Sequence, residues 1–317
     1  MVNEVPAQQL AQLVEEIRHQ FKQGRVDCME LMARHTTLAL GGPADILAQP
    51  GSREEAAWLL KTARARHIPV TVIGNGSNLL VKDGGIRGLT LKIGSAMSQI
   101  NVEGNRLYAQ GGAMMAAASQ AAAQAGLEGL AFAAGIPGTV GGGTFMNAGA
   151  YGGELSQVIE HIEGVTLEGE FVYLTNEEMD FGYRCSRAQR EGFIITDVYF
   201  ELKPGSKTEI LNQMRELNRQ RREKQPLTVC SAGSTFKRPT GYFAGTLIDQ
   251  CGLKGARVGG AEVSPKHAGF LTNAYNGTAA DFMALMALVQ KTVQEQKGVW
   301  LEPEVRIIGE DGPVIPV

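Results

Sequence analysis

One stretch of the chain combines glycine with large apolar side chains, and it is the first candidate for a ligand site. Residues 126–154 read GLEGLAFAAGIPGTVGGGTFMNAGAYGGE. Glycine inside a helix or strand costs about 0.5–1 kcal/mol relative to alanine, and the interleaved apolar residues argue against a disordered linker. A buried, irregular backbone without Cβ atoms lets a flat ligand lie against it, while amide N–H groups meet anionic oxygens. The alternative interpretation is a run of tight turns in a packed core.

A second glycine-rich loop, Gly74-Asn75-Gly76-Ser77-Asn78, follows the short apolar run Val70–Ile73. It lacks the third glycine of a GxGxxG dinucleotide fingerprint and the GK[ST] of a P-loop, and Leu79–Val81 continues as a predicted strand. A pyrophosphate would therefore be held between two strands, by main-chain amides together with polar side chains of the loop. The alternative is a polar turn in a hairpin.

The composition excludes several classes of protein. The chain has 317 residues, of which 44% are hydrophobic and 20% charged, and this length allows two or three globular domains. A net charge of -3 without a dense basic patch argues against nucleic acid or a membrane surface as partner. Neither a signal peptide nor an apolar run of about 18–20 residues is recognisable. Four cysteines without metal-type spacing predict free thiols in the cytoplasm and no metal site.

The hydrophobic patterns around these loops predict an α+β chain without regular βαβ alternation. Capping boxes at Ser52/Glu55 and Thr278/Asp281 mark two helix starts, and residues 204–206 are predicted to be a linker. Glu304 is expected on a strand face that it shares with Arg306. The further helices are predicted over 10–21, 113–124, 207–224 and 243–251, and the strands over 35–38, 46–48, 70–73, 79–81, 88–93, 159–167, 171–174, 193–202 and 301–309.

Several segments, taken in order, resemble a single enzyme family. The order resembles that of the UDP-N-acetylenolpyruvoylglucosamine reductases, flavoenzymes that complete UDP-N-acetylmuramic acid in peptidoglycan synthesis. The resemblance covers essentially the whole chain after the first helix and favours the shorter of the family's two types. Its first half is shared with other flavin proteins of the vanillyl-alcohol-oxidase type. The matching segments are Thr36-Thr37-Leu38, Gly41-Gly42-Pro43-Ala44, the loop 74–78, residues 135–142, residues 147–152, Tyr183-Arg184-Cys185-Ser186, residues 232–237 and Glu304-Val305-Arg306.

The resemblance implies an FAD-binding domain of the vanillyl-alcohol-oxidase/PCMH type over residues 1–204, with lobes at about 1–72 and 73–204. A smaller α+β substrate-binding domain, 205–317, would close over the flavin. The implied cofactor is non-covalent FAD, the reductant NADPH and the substrate a sugar nucleotide, with no obligate protein partner. Hydride would pass from the flavin N5 nitrogen to the β-carbon of the enol ether. The implied cellular role is cell-wall biogenesis and, through it, cell shape and division.

Three residues match the catalytic positions of this family. Charge develops on the substrate carboxylate during hydride transfer, and the planar fork of Arg184 suits that carboxylate. Glu304 would assist in its protonated form. Ser234 stands at the family's proton-donor position for the α-carbon. Considered alone, Ser234 could be a turn serine, Arg184 could form a surface ion pair and Glu304 could face water.

The same positional matching implies binding residues. The candidate substrate contacts are Tyr151, Lys237, Arg238 and His267, of which the cations suit a diphosphate. The candidate FAD contacts are Gly74, Asn75, Gly76, Ser77, Asn78, Gly135, Ile136, Pro137, Gly138, Thr139, Gly141, Gly142, Asn147, Gly149, Ile195 and Arg306.

Two other functions compete with the implied reductase. A different flavin oxidoreductase, such as a sugar or alcohol oxidase, would share the glycine segments but not Arg184, Ser234 and Glu304. A sugar-nucleotide-binding protein without flavin would be colourless after purification.

Overall fold

The computed structural model describes residues 5–311, and the contacts within it divide the chain into two compact units. The first unit comprises the residues up to Cys28 together with Ile46–Asn75 and Gly88–Gln220. The second comprises Met29–Asp45, Gly76–Arg87 and the residues from Arg221 onward. This division differs from the expected one at residue 204, because two early segments lie within the second unit. The assignment of the two portions to FAD and to substrate stays a prediction.

The helices of the described residues begin with an amphipathic segment after Pro6. The capping box at Thr278 is confirmed: its Oγ1 accepts from Asp281 N at 3.1 Å, and the Asp281 carboxylate accepts from Thr278 N at 3.0 Å. The helix that follows ends at Gly298 with φ 68°. The α-helices are α1 (Ala7–Gln20), α2 (Arg53–Ala65), α3 (Met115–Gln124), α4 (Val140–Phe145), α5 (Arg187–Glu191), α6 (Lys207–Lys224), α7 (Ala244–Gln250) and α8 (Ala279–Lys297).

The strands are short, apart from a few in the sheets described below. In chain order they are β1 (Arg25–Leu31), β2 (Pro43–Gln49), β3 (Val70–Ile73), β4 (Leu79–Val81), β5 (Ile86–Lys92), β6 (Ile100–Glu103), β7 (Arg106–Gln110), β8 (Leu127–Glu128), β9 (Gly149–Ala150), β10 (Gly153–Glu154), β11 (Ile159–Thr166), β12 (Phe171–Thr175), β13 (Phe193–Glu201), β14 (Lys203–Pro204), β15 (Cys230–Ser231), β16 (Arg257–Val258), β17 (Ala261–Val263), β18 (Leu271–Asn273) and β19 (Arg306–Ile308).

The first unit is centred on a five-stranded antiparallel sheet with the order β12-β11-β13-β7-β6. Ile195 of β13 packs into a core with residues of α3 and α4, whereas Ile194 packs into a core with residues of α1 and α2. Strand β13 is therefore buried on both faces, and the prediction of a half-buried strand is wrong here. A fully buried strand needs no alternation of polar and apolar residues.

The second unit contains a four-stranded antiparallel sheet with the order β15-β18-β17-β16 and a parallel pair, β19 with β4. Helix α8 covers the sheet with the fully buried side chains of Phe282, Leu285 and Val289. Large buried apolar side chains of this kind contribute about 2–5 kcal/mol each to the free energy of unfolding. This core holds the loops described below in place.

Three sequence predictions are corrected by the structure. Residues 35–38 are not a strand, because Thr36 Oγ1 donates to Leu40 O at 2.8 Å and Ala39, at φ 53°, turns the chain. Residues 204–206 are not a free linker, because β14 pairs with β8 and Gly205 N donates to Gly126 O at 2.8 Å. The last strand begins only at Arg306, so Glu304 precedes it. Over residues 5–311, no helix combines the length and apolar character that crossing a membrane requires.

Candidate functional site

In the first unit, Thr139 organises the main chain at the start of α4. Its side chain accepts from Gly142 N at 3.3 Å, which caps the helix. The Asn75 side-chain amide donates to Pro137 O at 2.7 Å. A Cβ atom added at Gly74 would lie 2.8 Å from Thr139 Oγ1. The structure therefore brings Gly74 and Asn75 together with the segment 135–142, and their assignment to the cofactor stays a prediction.

The glycines of α4 differ in what surrounds them. A Cβ atom added at Gly141 would lie 2.8 Å from Ile195 O and 3.0 Å from Gly111 Cα, so only glycine fits there. A Cβ atom at Gly142 would meet only Thr139 Oγ1, at 3.2 Å, and Gly142 is exposed. Ile195 itself is buried, and its carbonyl oxygen lies against the packed side of the helix.

One side of this segment is thus packed into the unit, and the other presents bare main chain. Gly142 belongs to the open side, whereas Gly74 lies directly against Thr139, whose Oγ1 an added Cβ would meet at 2.8 Å. A surface without side chains suits a flat ring system or a pyrophosphate that approaches the backbone closely. The residues present fit FAD.

Arg184 lies at the tip of a tight turn in the first unit. Gly182 and Cys185 close the turn through reciprocal main-chain hydrogen bonds, and Arg184 has φ 53°. Its guanidinium donates to Gly149 O at 3.0 Å and lies 5.1 Å from the centre of the Tyr183 ring. The structure therefore places Arg184 beside Gly149.

Two further side chains hold this turn against the glycine-rich segment. Asn147 is buried; its amide nitrogen donates to Gly182 O at 3.1 Å, and its oxygen accepts from Ser156 N at 3.0 Å. Gln189 donates to Arg184 O at 3.0 Å and to Phe145 O at 2.8 Å. Asn147 is thus a positioning residue in this structure. The sequence interpretation missed Gln189, because a glutamine on a helix carries no pattern of its own.

Tyr151 lies in the turn between β9 and β10 of the first unit. It has φ 54°, is followed by Gly152 with φ 86°, and its side chain is 46% exposed. The exposed ring is accessible to a ligand. The assignment of Tyr151 as a substrate contact stays a prediction.

In the second unit, the remainder of the glycine loop meets the segment that contains Glu304. Gly76 has φ 65°, and its O accepts from Thr37 N at 3.2 Å. The Asn78 side chain donates to Glu304 O at 3.1 Å, and Asn78 O accepts from Arg306 N at 3.0 Å. Thr37 thus anchors the loop at Gly76, and the segment 304–306 anchors it at Asn78.

Ser234 and Glu304 are brought together by their neighbours. Glu304 N donates to Thr235 O at 2.8 Å, and Lys237 N donates to Glu302 O at 2.8 Å, so residues 235–237 pair with 302–304. Thr235 is buried, and its N donates to Gly269 O at 3.0 Å. Ser234 is exposed beside this fixed backbone, while Glu304 is partly buried. A hydroxyl and a carboxyl group thus lie on adjoining segments of one unit.

The three candidate substrate contacts of the second unit have different surroundings. Lys237 forms an ion pair with the exposed Glu302. Arg238 is exposed, and its guanidinium lies 3.9 Å from the centre of the Phe243 ring. His267 Nδ1 accepts from Gly269 N at 3.1 Å, which leaves the proton of the neutral ring on Nε2.

Burial lowers the pKa of His267, and the nearby charge of Lys254 lowers it further, against a backbone hydrogen bond that raises it. The lowered pKa favours the neutral ring, whose Nε2 hydrogen is a hydrogen-bond donor. The sequence interpretation missed Lys254, because a lysine followed by a glycine is a common pair that indicates no particular function. Over the described residues, no group of His, Cys, Asp and Glu side chains is arranged to hold a metal ion.

The fold and the open glycine segment define a flavoprotein with an FAD-binding domain of the vanillyl-alcohol-oxidase type and a second α+β domain. Two protein-family models match the sequence. The family model of the FAD binding domain matches residues 44–175, and the family model of the UDP-N-acetylenolpyruvoylglucosamine reductase C-terminal domain matches residues 225–308. The chain belongs to the UDP-N-acetylenolpyruvoylglucosamine reductase family.

Similarity to individual relatives supports this assignment. The chain is 52% identical to the UDP-N-acetylenolpyruvoylglucosamine reductase of Lactiplantibacillus plantarum over 282 residues, 89% of this chain and 93% of the relative. It is 46% identical to the reductase of Caldanaerobacter subterraneus subsp. tengcongensis over 298 residues, 94% of this chain and 98% of the relative.

Two solved structures extend the comparison to the fold. The crystal structure of the UDP-N-acetylenolpyruvylglucosamine reductase from Thermus caldophilus has a TM-score of 0.78 at 38% identity and covers 90% of this chain and 99% of its own. The 4-ethylphenol oxidase from Gulosibacter chungangensis has a TM-score of 0.50 at 18% identity, with 64% of this chain and 44% of its own covered. The second likeness bears on the fold alone.

A pair of alanine substitutions separates packing from cofactor binding in α4. We expect Gly141→Ala to lower the free energy of unfolding by about 1–3 kcal/mol, because its Cβ would meet main-chain atoms. We expect Gly142→Ala to change the free energy of unfolding of the FAD-depleted protein by less than Gly141→Ala does, because its Cβ would meet a single side-chain atom, Thr139 Oγ1, at 3.2 Å. The same substitution should weaken FAD binding about tenfold or more by keeping the cofactor off the backbone.

Chemical denaturation of FAD-depleted protein and a flavin fluorescence titration measure the two quantities. An unchanged FAD affinity of the Gly142→Ala variant would show that the cofactor does not approach the backbone at this residue.

Proposed function

We propose that this chain reduces the enolpyruvyl group of UDP-N-acetylglucosamine enolpyruvate to give UDP-N-acetylmuramate, with NADPH as reductant and non-covalently bound FAD. The reaction belongs to the synthesis of peptidoglycan precursors in the cytoplasm, and no obligate protein partner is needed for it. The observation that carries the proposal is the pairing of residues 235–237 with 302–304, which holds the Ser234 hydroxyl and the Glu304 carboxyl in one unit.

FAD, held by the open glycine segment, would supply the hydride equivalent of NADPH for the β-carbon of the enol ether. Ser234 gives the proton that the α-carbon needs to complete the reduction. A serine hydroxyl is a weak acid, so it can protonate only a centre with strong carbanion character. Its exposed position beside the buried Thr235 leaves the hydroxyl accessible while the backbone stays fixed.

Arg184 and Glu304 act on the charge that develops on the substrate carboxylate. A guanidinium offers two parallel N–H donors to a carboxylate. Arg184 lies in a turn that is held by two main-chain hydrogen bonds between Gly182 and Cys185 and by one side-chain hydrogen bond each from Asn147 and Gln189. Glu304, on the segment that pairs with residues 235–237, is the second residue assigned to this carboxylate. Donors that are in place before the charge develops lower the barrier without reorganisation.

Lys237, Arg238, His267 and Tyr151 are assigned to the bound sugar nucleotide. Lys237 and Arg238 supply positive charge for the diphosphate, and His267 supplies the Nε2 hydrogen. The open face of Gly142 supports the assignment of its segment to FAD. The residues assigned to FAD are Gly74 to Asn78, Gly135 to Thr139, Gly141, Gly142, Asn147, Gly149, Ile195 and Arg306.

The proposal is tested by product analysis in the absence of oxygen. Incubation of the purified protein with NADPH and UDP-N-acetylglucosamine enolpyruvate should give a sugar nucleotide that is two hydrogen atoms heavier, in an amount equal to the NADPH consumed. NADPH consumption that requires oxygen and leaves the sugar nucleotide unchanged would indicate a different flavin oxidoreductase.

A further inference from the structure

An exposed aromatic ring lies beside the candidate substrate residues of the second unit and has no part in the chemistry proposed above. The Phe243 side chain is 60% exposed. The guanidinium of Arg238 covers part of it, at 3.9 Å from the ring centre. A guanidinium over an aromatic face forms a cation–π pair, and both partners have planar surfaces on which another ring can stack.

Hydrogen bonds to main-chain atoms before and after Phe243 hold Arg238 and Phe243 together. Tyr242 N donates to Pro239 O at 3.1 Å, and Arg238 Nε donates to Tyr242 O at 3.3 Å, so the turn folds Arg238 back over the ring. Phe243 is the N-cap residue of α7, and its O accepts from Leu247 N at 3.1 Å. The aromatic ring is therefore carried by the start of a packed helix.

The same helix connects the ring to the proposed substrate residues. A Cβ atom added at Gly245, two residues after Phe243, would lie 3.1 Å from His267 Cε1 and 3.2 Å from Gly269 N. Gly269 O accepts from the N of Thr235, the residue after Ser234. The start of α7 thus lies against the His267–Gly269 turn, which in turn holds the backbone at the proposed proton donor.

We infer that Phe243 and Arg238 form a stacking platform for a nucleobase of the bound nucleotide. The inference rests on the proposed function, because both the sugar nucleotide and NADPH carry a planar base on a diphosphate. Aromatic side chains and arginine stack on nucleobases with little dependence on the base. A cation at Lys237 and a hydrogen-bond donor at His267 suit the diphosphate next to that base.

The uracil of the sugar nucleotide is the favoured source of the base. Lys237, which precedes Arg238 in the chain, and His267, against which the start of α7 packs, are both assigned to this substrate. Uracil stacking should contribute to binding equally before and during hydride transfer, because the base is remote from the reacting carbons. Such an interaction changes the dissociation constant and leaves the limiting rate unaltered.

Phe243→Ala tests the platform. We expect the Kd of UDP-N-acetylglucosamine enolpyruvate for the reduced holoenzyme to rise about tenfold, which corresponds to about 1.4 kcal/mol, while the limiting rate of flavin reoxidation stays within about twofold. Phe243→Trp should keep the wild-type Kd. Tyr275→Ala is the matched control. Tyr275 is 51% exposed, and the centre of its ring lies 3.9 Å from the guanidinium of Arg257 in the same unit. It should keep the wild-type Kd as well.

A substrate that lacks the base distinguishes the loss of stacking from a general change in the fold of the variant. Enolpyruvyl-N-acetylglucosamine 1-phosphate should bind the wild type and Phe243→Ala equally, so the change in the ratio of the two Kd values from wild type to variant reports the stacking contact. An NADPH titration of the oxidised enzymes distinguishes the bases: a loss confined to NADPH would assign the platform to adenine. Equal losses with the base-free substrate, or no loss with either nucleotide, would overturn the inference. Failure of the wild type to turn over would instead refute the proposed function.

Discussion

Replacement of Ser234 by alanine should slow the reoxidation of the flavin by the enolpyruvyl substrate about a hundredfold or more and leave its reduction by NADPH almost intact. The factor is the usual contribution of a positioned proton donor. The effect is confined to one half-reaction because only the second one needs a proton at the α-carbon. The fold should not change, since Ser234 is exposed and its neighbour Thr235 supplies the hydrogen bonds that fix the segment.

Two companion variants make the test of Ser234 specific. Ser234→Cys retains an acidic group at the same position and should recover part of the rate. Thr240→Ala removes another exposed hydroxyl group of the same unit and should have no effect on either half-reaction. Rapid-mixing absorbance at the flavin band measures both half-reactions separately. Equal slowing of the two would remove Ser234 from the role of acid.

Replacement of Arg184 by methionine should lower the limiting rate of the same half-reaction about a hundredfold to a thousandfold. This is the usual cost of removing one preorganised donor to a developing negative charge. Arg184→Lys should lie between the methionine variant and the wild type, because lysine keeps the charge but loses the planar fork. The turn itself should persist, since Gly182 and Cys185 close it through main-chain hydrogen bonds and the Gln189 side chain donates to the main-chain O of residue 184.

Arg187→Met is the matched control for this series. Arg187 follows the same turn, and its side chain forms a surface ion pair with Glu191, with 2.8 Å between Nε and Oε1. Exposed pairs of this kind contribute little to stability. Its loss should leave both half-reactions unchanged. If Arg184→Met raised only the Kd of the sugar nucleotide, Arg184 would bind ground state and transition state equally, and its catalytic assignment would be wrong.

Local signals in the sequence are sufficient to predict where most of the helices lie. The box at Thr278 and Asp281 predicts the start of α8 because the two side chains satisfy amide groups within four residues of each other. The turn at residues 36–40 was mistaken for a strand because the hydrogen bond of Thr36 to Leu40 O leaves no pattern in hydrophobicity. Strand β13 was recognised, although its burial on both faces depends on helices from distant parts of the chain.

The candidate site depends on contacts that no local pattern specifies. Thr235 and Glu304 are separated by 69 positions in the printed sequence, yet a hydrogen bond of 2.8 Å joins them. Residues 29–45 and 76–87 belong to the second unit through contacts with residues that are also distant in the sequence, and no local pattern predicts these contacts. The family resemblance located Ser234 and Glu304, whereas Gln189 and Phe243 emerged only from the folded chain.

The measurement that tests the central claim most directly is an anaerobic absorbance spectrum of the purified protein. The spectrum is recorded first alone, then after NADPH, and finally after UDP-N-acetylglucosamine enolpyruvate. We predict flavin bands that bleach with NADPH and return in full when the sugar nucleotide is added, in proportion to the amount supplied. Bands that bleach and return only when oxygen is admitted would contradict the account, as would a protein that binds no FAD when the cofactor is added.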